Sequence, residues 1–296
     1  MSKSLSILLP TYNCDCTALI SELQQQCVAE GTNFEIIVAD DASPDKRFII
    51  KNRTISNLDG VRYIERKQNV GRSAIRNYLV SQSSKEWILF IDGDLSLNNA
   101  KFIHNYLQAE GDVIVGGISI VENEKRWGNN LRYRYEHSSK EAISAENRRK
   151  TPYQHLSTNF IANRKLIGTN PYNEDIKQYG FEDVLLGKRF KALNAKINHI
   201  DNPVLFNDFE LNAVFLCKTE EALRTLSIFQ TELKGYSNLL KITGKLQKMH
   251  ISWIGVWLYK FLHKPLKHNL KGNNPSVFLF NIYKLLYFLH YNSIRK

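Results

Sequence analysis

Along the first 120 residues, short β-branched runs alternate with longer stretches of helical periodicity, an order that few architectures accept. Residues 5–9, 35–39, 61–64, 87–91 and 113–120 read as strands, and residues 19–29, 48–56, 73–83 and 100–108 fill the gaps as helices. Consecutive parallel strands need a crossover long enough to hold a helix, so this order predicts an α/β fold with a mainly parallel sheet covered on both faces. Ligands of such sheets bind beyond the carboxyl ends of the strands.

The residues at those ends are therefore informative. Pro10-Thr11-Tyr12-Asn13 follows the first strand, Asp40-Asp41-Ala42-Ser43-Pro44-Asp45 the second, and Asp92-Gly93-Asp94 the strand that starts at Trp87. Any one of these clusters is explained by turns and helix caps, but three at strand ends of one sheet point to a site. Asp92 and Asp94 leave the same side of an extended chain and can share one hard divalent cation that bridges to phosphate oxygens; the competing explanation is a tight turn with one capping Asp. The chain carries no G-x-G-x-x-G after a strand, no G-x-x-x-x-G-K-[ST] and no H-E-x-x-H, which sets aside dinucleotide, P-loop and zincin chemistry. Cys14-x-Cys16 has too short a spacing and no second pair for a zinc site, and four cysteines suit a reducing compartment.

Five blocks, ILLPTYN, IIVADDASPD, NVGRSAIRN, WILFIDGD and YGFEDVLLGKRF, occur in an order and spacing that resembles the family 2 glycosyltransferases, inverting enzymes of the GT-A fold. The likeness runs from residue 5 to about 190, and the remainder resembles the ends of bacterial members that build surface polysaccharides. The resemblance implies a Rossmann-like nucleotide-binding half over about residues 1–120 and an acceptor half over about 121–232. It implies a UDP-sugar or TDP-sugar donor, Mg²⁺ or Mn²⁺, and a glycan or lipid-linked acceptor. Pro10, Thr11 and Asn13 would line the nucleobase, and Asp40 or Asp41 would accept a hydrogen bond from its ring N–H. Gly71 would let the backbone approach the nucleotide, with Arg72 or Arg76 meeting the diphosphate or a carboxylate. Asp92 and Gly93 would meet the nucleotide, and Asp94 with Asp92 the metal.

Within the same resemblance Asp183 would take the proton from the acceptor hydroxyl, with Glu182 beside it, and a metal-neutralised diphosphate needs no separate protein acid. Asn159 would contact sugar or acceptor. Phe181 stands where relatives often have His and would meet the acceptor or sugar, and Phe206 stands where many have a metal-binding His, leaving His199 and Asp208 as nearby candidates. Transfer to a polyprenyl phosphate, and nucleotide-sugar binding without turnover, are the competing readings. Residues 131–153, charged and aromatic without an apolar stripe, read either as a flexible lid over the site or as a solvated linker helix.

Charge divides the chain. All 29 acidic residues lie at or before Glu232, whereas residues 233–296 hold 11 Lys and Arg and no acid, so the net charge of +11 belongs to the last stretch. This predicts a boundary between a catalytic domain, 1–232, and a basic helical extension, 233–296. Aromatics interleaved with lysines there suit an anionic membrane surface, and a helical subdomain packed on the core is the alternative. No nucleic-acid motif accompanies the charge. The apolar stretches 251–262 and 277–291 are too short and too interrupted to span a bilayer, and the start of the chain lacks the apolar core of a signal peptide.

Overall fold

A computed structural model describes residues 3–295. The chain runs β1 (Leu5–Thr11), α1 (Thr17–Ala29), β2 (Phe34–Asp40), α2 (Lys46–Arg53), β3 (Val61–Glu65), α3 (Arg72–Gln82), β4 (Trp87–Phe90), α4 (Phe102–Gln108), β5 (Val113–Val115) and β6 (Ile118–Ile120). It continues through α5 (Glu124–Trp127), α6 (Leu131–Ser138), α7 (Ala145–Arg149), β7 (Phe160–Asn163), α8 (Arg164–Ile167), α9 (Glu182–Ala192), β8 (Ile197–His199) and β9 (Val204–Phe206). Four helices close it: α10 (Asn212–Ile228), α11 (Asn238–Lys248), α12 (Ser252–Lys271) and α13 (Val277–Arg295).

Two compact units form. The first comprises residues 1–121, 140–177 and 182–208, and the second residues 122–139, 178–181 and 209–296. The first is built on a seven-stranded sheet in the order β3-β2-β1-β4-β7-β5-β8. All its pairings are parallel except those of β7, which runs antiparallel to β4 and β5. β1 and β2 are apolar almost without alternation because helices cover both sheet faces. One side of the core gathers Leu8, Ile37, Phe90, Val115 and Phe160 of the sheet against Ile75 and Leu79 of α3 and Leu186 and Phe190 of α9. That packing sets the start of α3 and the start of α9 by the same sheet.

The single strand expected over 113–120 is two strands in different sheets. β5 stays in the large sheet, whereas β6 pairs in parallel with β9. Gly117 between them has φ +87°, and a Cβ there would lie 2.6 Å from a guanidinium nitrogen of Arg148, so the chain turns where only glycine fits. Residues 131–153 are likewise neither free lid nor single linker: they contribute α6 to the second unit and α7 to the first. Arg148 of α7 is buried, and it donates to the Val115, Gly116, Ile143 and Ile200 carbonyls and meets His199 Nδ1 at 3.0 Å.

The second unit is helical. Leu131 of α6, Leu216 of α10, Leu266 and Leu270 of α12, and Phe280, Tyr283 and Leu286 of α13 form its core. The change of charge at Leu233 thus falls inside this unit, between α10 and α11. Among the described residues no helix is long and apolar enough to cross a membrane.

Candidate active site

The strand ends meet in the first unit as a hydrogen-bonded cradle. Asp40 ends β2 and turns its carboxylate onto Ser43, accepting from the Ser43 amide at 2.7 Å and from its hydroxyl at 2.6 Å. The same hydroxyl accepts from the Asn13 amide at 2.8 Å, and Asn13 Oδ1 accepts from the Asp45 amide at 3.2 Å, which ties the end of β1 to the end of β2. Asp41 reaches the loop before α3 and accepts from the amides of Val70 and Gly71, each at 3.0 Å. Burial pushes its carboxyl above the usual range against those two bonds. The Gly93 amide donates to the Pro10 carbonyl at 3.3 Å, and Thr11 is buried beside it. Pro10, Thr11, Asn13, Asp40, Asp41, Gly71 and Gly93 therefore surround one strand-end region.

A charged network lies next to it. Arg72, first residue of α3, donates from Nε to Glu182 at 2.6 Å and from Nη2 to Asp92 at 3.2 Å. Arg76, one turn later and only 2% exposed, donates to the other Asp92 oxygen and to the Arg72 carbonyl, with its guanidinium 5.7 Å from the Tyr172 ring centroid. The Asp92 amide is held by Thr158 Oγ1 at 2.9 Å. Glu182 and Asp183 occupy the first turn of α9, where the helix dipole favours anions. Burial would raise Glu182, but the guanidinium groups of Arg72 and Arg76 hold it below the usual carboxylate range. Asp183 goes the other way: burial and then the negative charge of Glu182 push it up to about 6. Two neighbouring carboxylates whose affinities for a proton are driven apart are the signature of divided roles in acid–base chemistry.

The two carboxylates of the D-G-D turn also differ. Asp92 has both oxygens on arginines, whereas Asp94 is exposed, and burial together with the charge of Asp94 raises the Cys14 thiol to about 12. Among the described residues no group of three or more His, Cys, Asp and Glu side chains is gathered to hold a metal ion. An exposed carboxylate at a strand end still fits Mg²⁺ or Mn²⁺ held jointly with diphosphate oxygens and water, the usual mode for Mg²⁺. Asp94 would be the protein group to hold such an ion, while Asp92 anchors two arginines.

Several expected residues lie elsewhere. Asn159 is fully buried with φ +56°: its Oδ1 accepts from the Tyr106 hydroxyl at 2.6 Å and its Nδ2 donates to the carbonyls of Gly117 and Asn202. Its polar atoms are engaged in holding β5, β7 and the turn after β8, which gives it a framework role. His199 stands between Arg148 and the Pro152 carbonyl, and burial lowers it to about 4, which leaves it a neutral structural ring. Phe206 is buried in β9 and Asp208 is exposed after it. Phe181 belongs to the second unit. Residues not singled out from sequence also act here: Ser43 and Tyr172 support the carboxylates and Arg76, and the D-x-x-S spacing after β2 was the one available signal for Ser43.

The sequence pattern described as Glycosyl transferase family 2 matches residues 6–168, more than half of the chain. An uncharacterized glycosyltransferase of Haemophilus influenzae is 33% identical over 92 residues, 30% of this chain and 29% of that protein. The poly(ribitol-phosphate) beta-N-acetylglucosaminyltransferase TarS of Staphylococcus aureus is 34% identical over 97 residues, 31% of this chain and 16% of that protein. The chain spans between 16% and 38% of the curated relatives it matches. In three dimensions it is similar to S. aureus TarS 1–349 solved with UDP-GlcNAc, at TM-score 0.52 and 17% identity over 99% of this chain and 92% of that one. It is also similar to the mannosyltransferase PcManGT of Pyrobaculum calidifontis in complex with GDP-Man and Mn²⁺, at TM-score 0.54 and 13% identity over 100% and 87%. At these identities the likeness is one of fold.

Proposed function

The chain belongs to glycosyl transferase family 2, and on that premise we propose that it moves a sugar from a UDP-linked donor to a hydroxyl of a surface glycan or lipid-linked acceptor, with inversion. The observation that carries this reading is the carboxylate pair in the first turn of α9, with Glu182 bonded to Arg72 at 2.6 Å and Arg72 and Arg76 both on Asp92, next to the strand-end cradle. Pro10, Thr11 and Asn13 flank the nucleobase. The lone pairs left on Asp40 or Asp41 accept its ring N–H, since each carboxylate oxygen takes two hydrogen bonds. Arg72 faces the diphosphate from the first turn of α3.

Asp183 accepts the proton of the acceptor hydroxyl as that oxygen bonds to the anomeric carbon. The bond from that carbon to the diphosphate oxygen breaks, and the electron pair leaves with the nucleoside diphosphate. One displacement inverts the anomeric centre. A divalent cation on Asp94, when bound, neutralises charge developing on the leaving diphosphate. Glu182 fixes Arg72, and Asp92 fixes Arg72 and Arg76, so the cations are oriented before the donor arrives.

The second unit supports a membrane-surface partner. On α12 the rings of Trp253, Trp257 and Phe261, spaced one turn apart, are 65%, 54% and 62% exposed, and Lys245, Lys248, Lys260 and Lys264 are exposed on the same two helices, α11 and α12. Exposed aromatics with lysines and no acid suit the interface of an anionic bilayer. Such a surface fits a reaction on the cytoplasmic face, where four free thiols are also at home.

The test is a panel of UDP-sugars and hydroxyl acceptors, glycan and polyol-phosphate, with and without Mn²⁺, reading UDP release and product anomer. Acceptor-dependent UDP release with inversion is expected. Donor binding with no release across the panel would leave a nucleotide-sugar-binding protein, and retention would refute single displacement.

A further inference from the structure

The second unit encloses a cavity of about 670 Å³, within the span of about 300–1,000 Å³ typical of small-molecule sites. Its walls come from α6, α10, α11 and α13. Most are apolar, with Leu223, Leu226, Leu239, Ile242, Phe278 and Leu285 facing the space. Ile242 and Phe278 also reach solvent, 47% and 72% exposed, which puts the entrance between α11 and α13.

One wall carries a cation out of keeping with such surroundings. The Lys284 ammonium meets the Tyr135 hydroxyl at 3.3 Å and lies 4.4 and 4.7 Å from the ring centroids of Tyr135 and Phe280. Among the described residues no carboxylate forms an ion pair with it. Glu136, the acid whose charge reaches it, is turned to Arg132 at 3.7 Å, and Arg132 is held in turn by Glu210 at 2.6 Å. Burial lowers Lys284 to about 8 although the charge of Glu136 works to raise it, the behaviour of an ammonium whose countercharge is incomplete. Aromatic rings hold a cation through their faces and leave its demand for an anion unmet.

We propose that this cavity binds an amphipathic anion, a single apolar chain ending in a phosphate or carboxylate, with Lys284 as the countercharge of the headgroup. The chain occupies the space between α10, α11 and α13, and the head sits against Lys284 and Tyr135. Nothing in this inference needs the transferase reading, because every residue it uses lies in the second unit.

Calorimetric titration of the intact protein tests it, with dodecyl phosphate and laurate as the anionic probes below their micellar concentrations, dodecyl maltoside as the neutral chain and inorganic phosphate as the bare headgroup. Saturable one-to-one binding is expected, at least tenfold tighter for the anions than for the neutral chain. Lys284→Met should lose about tenfold for the anions and nothing for the neutral chain. Glu136→Gln, which removes the opposing charge, should tighten anion binding severalfold and keeps the charge test available should Lys284→Met fail to fold. Leu226→Trp fills the space and should abolish binding, whereas Trp257→Ser on the exposed face of α12 should leave it unchanged. Equal affinity for neutral and anionic chains, competition by inorganic phosphate as strong as by dodecyl phosphate, loss of binding in Trp257→Ser, or no saturable binding would each overturn the proposal. The two anionic probes, compared with each other, separate a phosphate headgroup from a carboxylate one.

Discussion

At the residue scale the split between Glu182 and Asp183 makes a prediction about pH. A base must be unprotonated to accept the hydroxyl proton, and Asp183 has been raised to about 6. Activity should therefore be low below pH 6, rise with unit slope through it and level off above, and Asp183→Asn should remove that limb while cutting turnover by about 10² to 10⁴. Donor affinity in Asp183→Asn should stay within a fewfold, as read by UDP-sugar calorimetry. A second contrast separates the D-G-D carboxylates. Asp92→Asn leaves the buried Arg76 short of countercharge and should lower stability by up to about 3 kcal/mol, the lower end for a broken buried pair because Asp92 is partly exposed. Asp94→Asn should leave the melting temperature within a degree or two and instead abolish the Mn²⁺-dependent part of UDP binding. Equal melting shifts in the two variants would remove the distinction drawn between them. These roles were legible to different degrees. Asp92 and Asp94 stood out because a short motif puts carboxylates at a strand end, and Glu182 and Asp183 because the YGFEDVLLGKRF block resembles a family block. The framework role of Asn159 was not legible because the groups that engage it, on Tyr106, Gly117 and Asn202, are distant along the chain and no local pattern announces them.

At the scale of elements, periodicity located β1 to β4 and α1, α3 and α4 within a few residues, because each buries a long apolar face against the sheet. It failed at 113–120, where both halves look alike in sequence and the break depends on Arg148, supplied by a segment that reads as solvated. Helix α9 depends on a similar close approach. A Cβ at Gly187 would lie 2.0 Å from the Tyr153 carbonyl oxygen, a separation that no rotamer choice relieves. Gly187→Ala should therefore push α9 away from residue 153 and with it the first turn that carries Glu182 and Asp183. Destabilisation of about 1–3 kcal/mol is expected, the range for overpacking a filled interior. Turnover should fall further than donor binding, since Asp183 moves while the cradle built by β1, β2 and the loop before α3 does not. A variant with normal melting temperature and normal turnover would show that α9 does not rely on that contact.

For the whole molecule the decisive property is the distribution of charge, which the sequence displays and the fold qualifies. The 11 basic residues after Glu232 do not form a separate appendage: α12 and α13 share a core with α6 and α10, and α11 packs against α12 and α13, so these helices are committed inside the second unit. The rings of Trp253, Trp257 and Phe261 remain outside that core, and their exposure is what turns a charge asymmetry into a surface with both electrostatic and apolar parts. Each exposed lysine contributes about 1 kcal/mol near an anionic surface, a term that salt screens, while buried ring area resists salt. Sedimentation of the intact protein with phosphatidylglycerol vesicles should accordingly weaken at high salt without full release, and phosphatidylcholine vesicles should retain much less. Trp253→Ser with Trp257→Ser should erase the salt-resistant part and spare the salt-sensitive part. Lys260→Gln with Lys264→Gln should do the reverse. Because both double variants alter exposed side chains only, their melting temperatures should match the parent. Binding that ignores vesicle charge, or that survives both double variants, would remove α12 as the membrane-facing element and leave the basic helices as a solvated outer surface of the second unit.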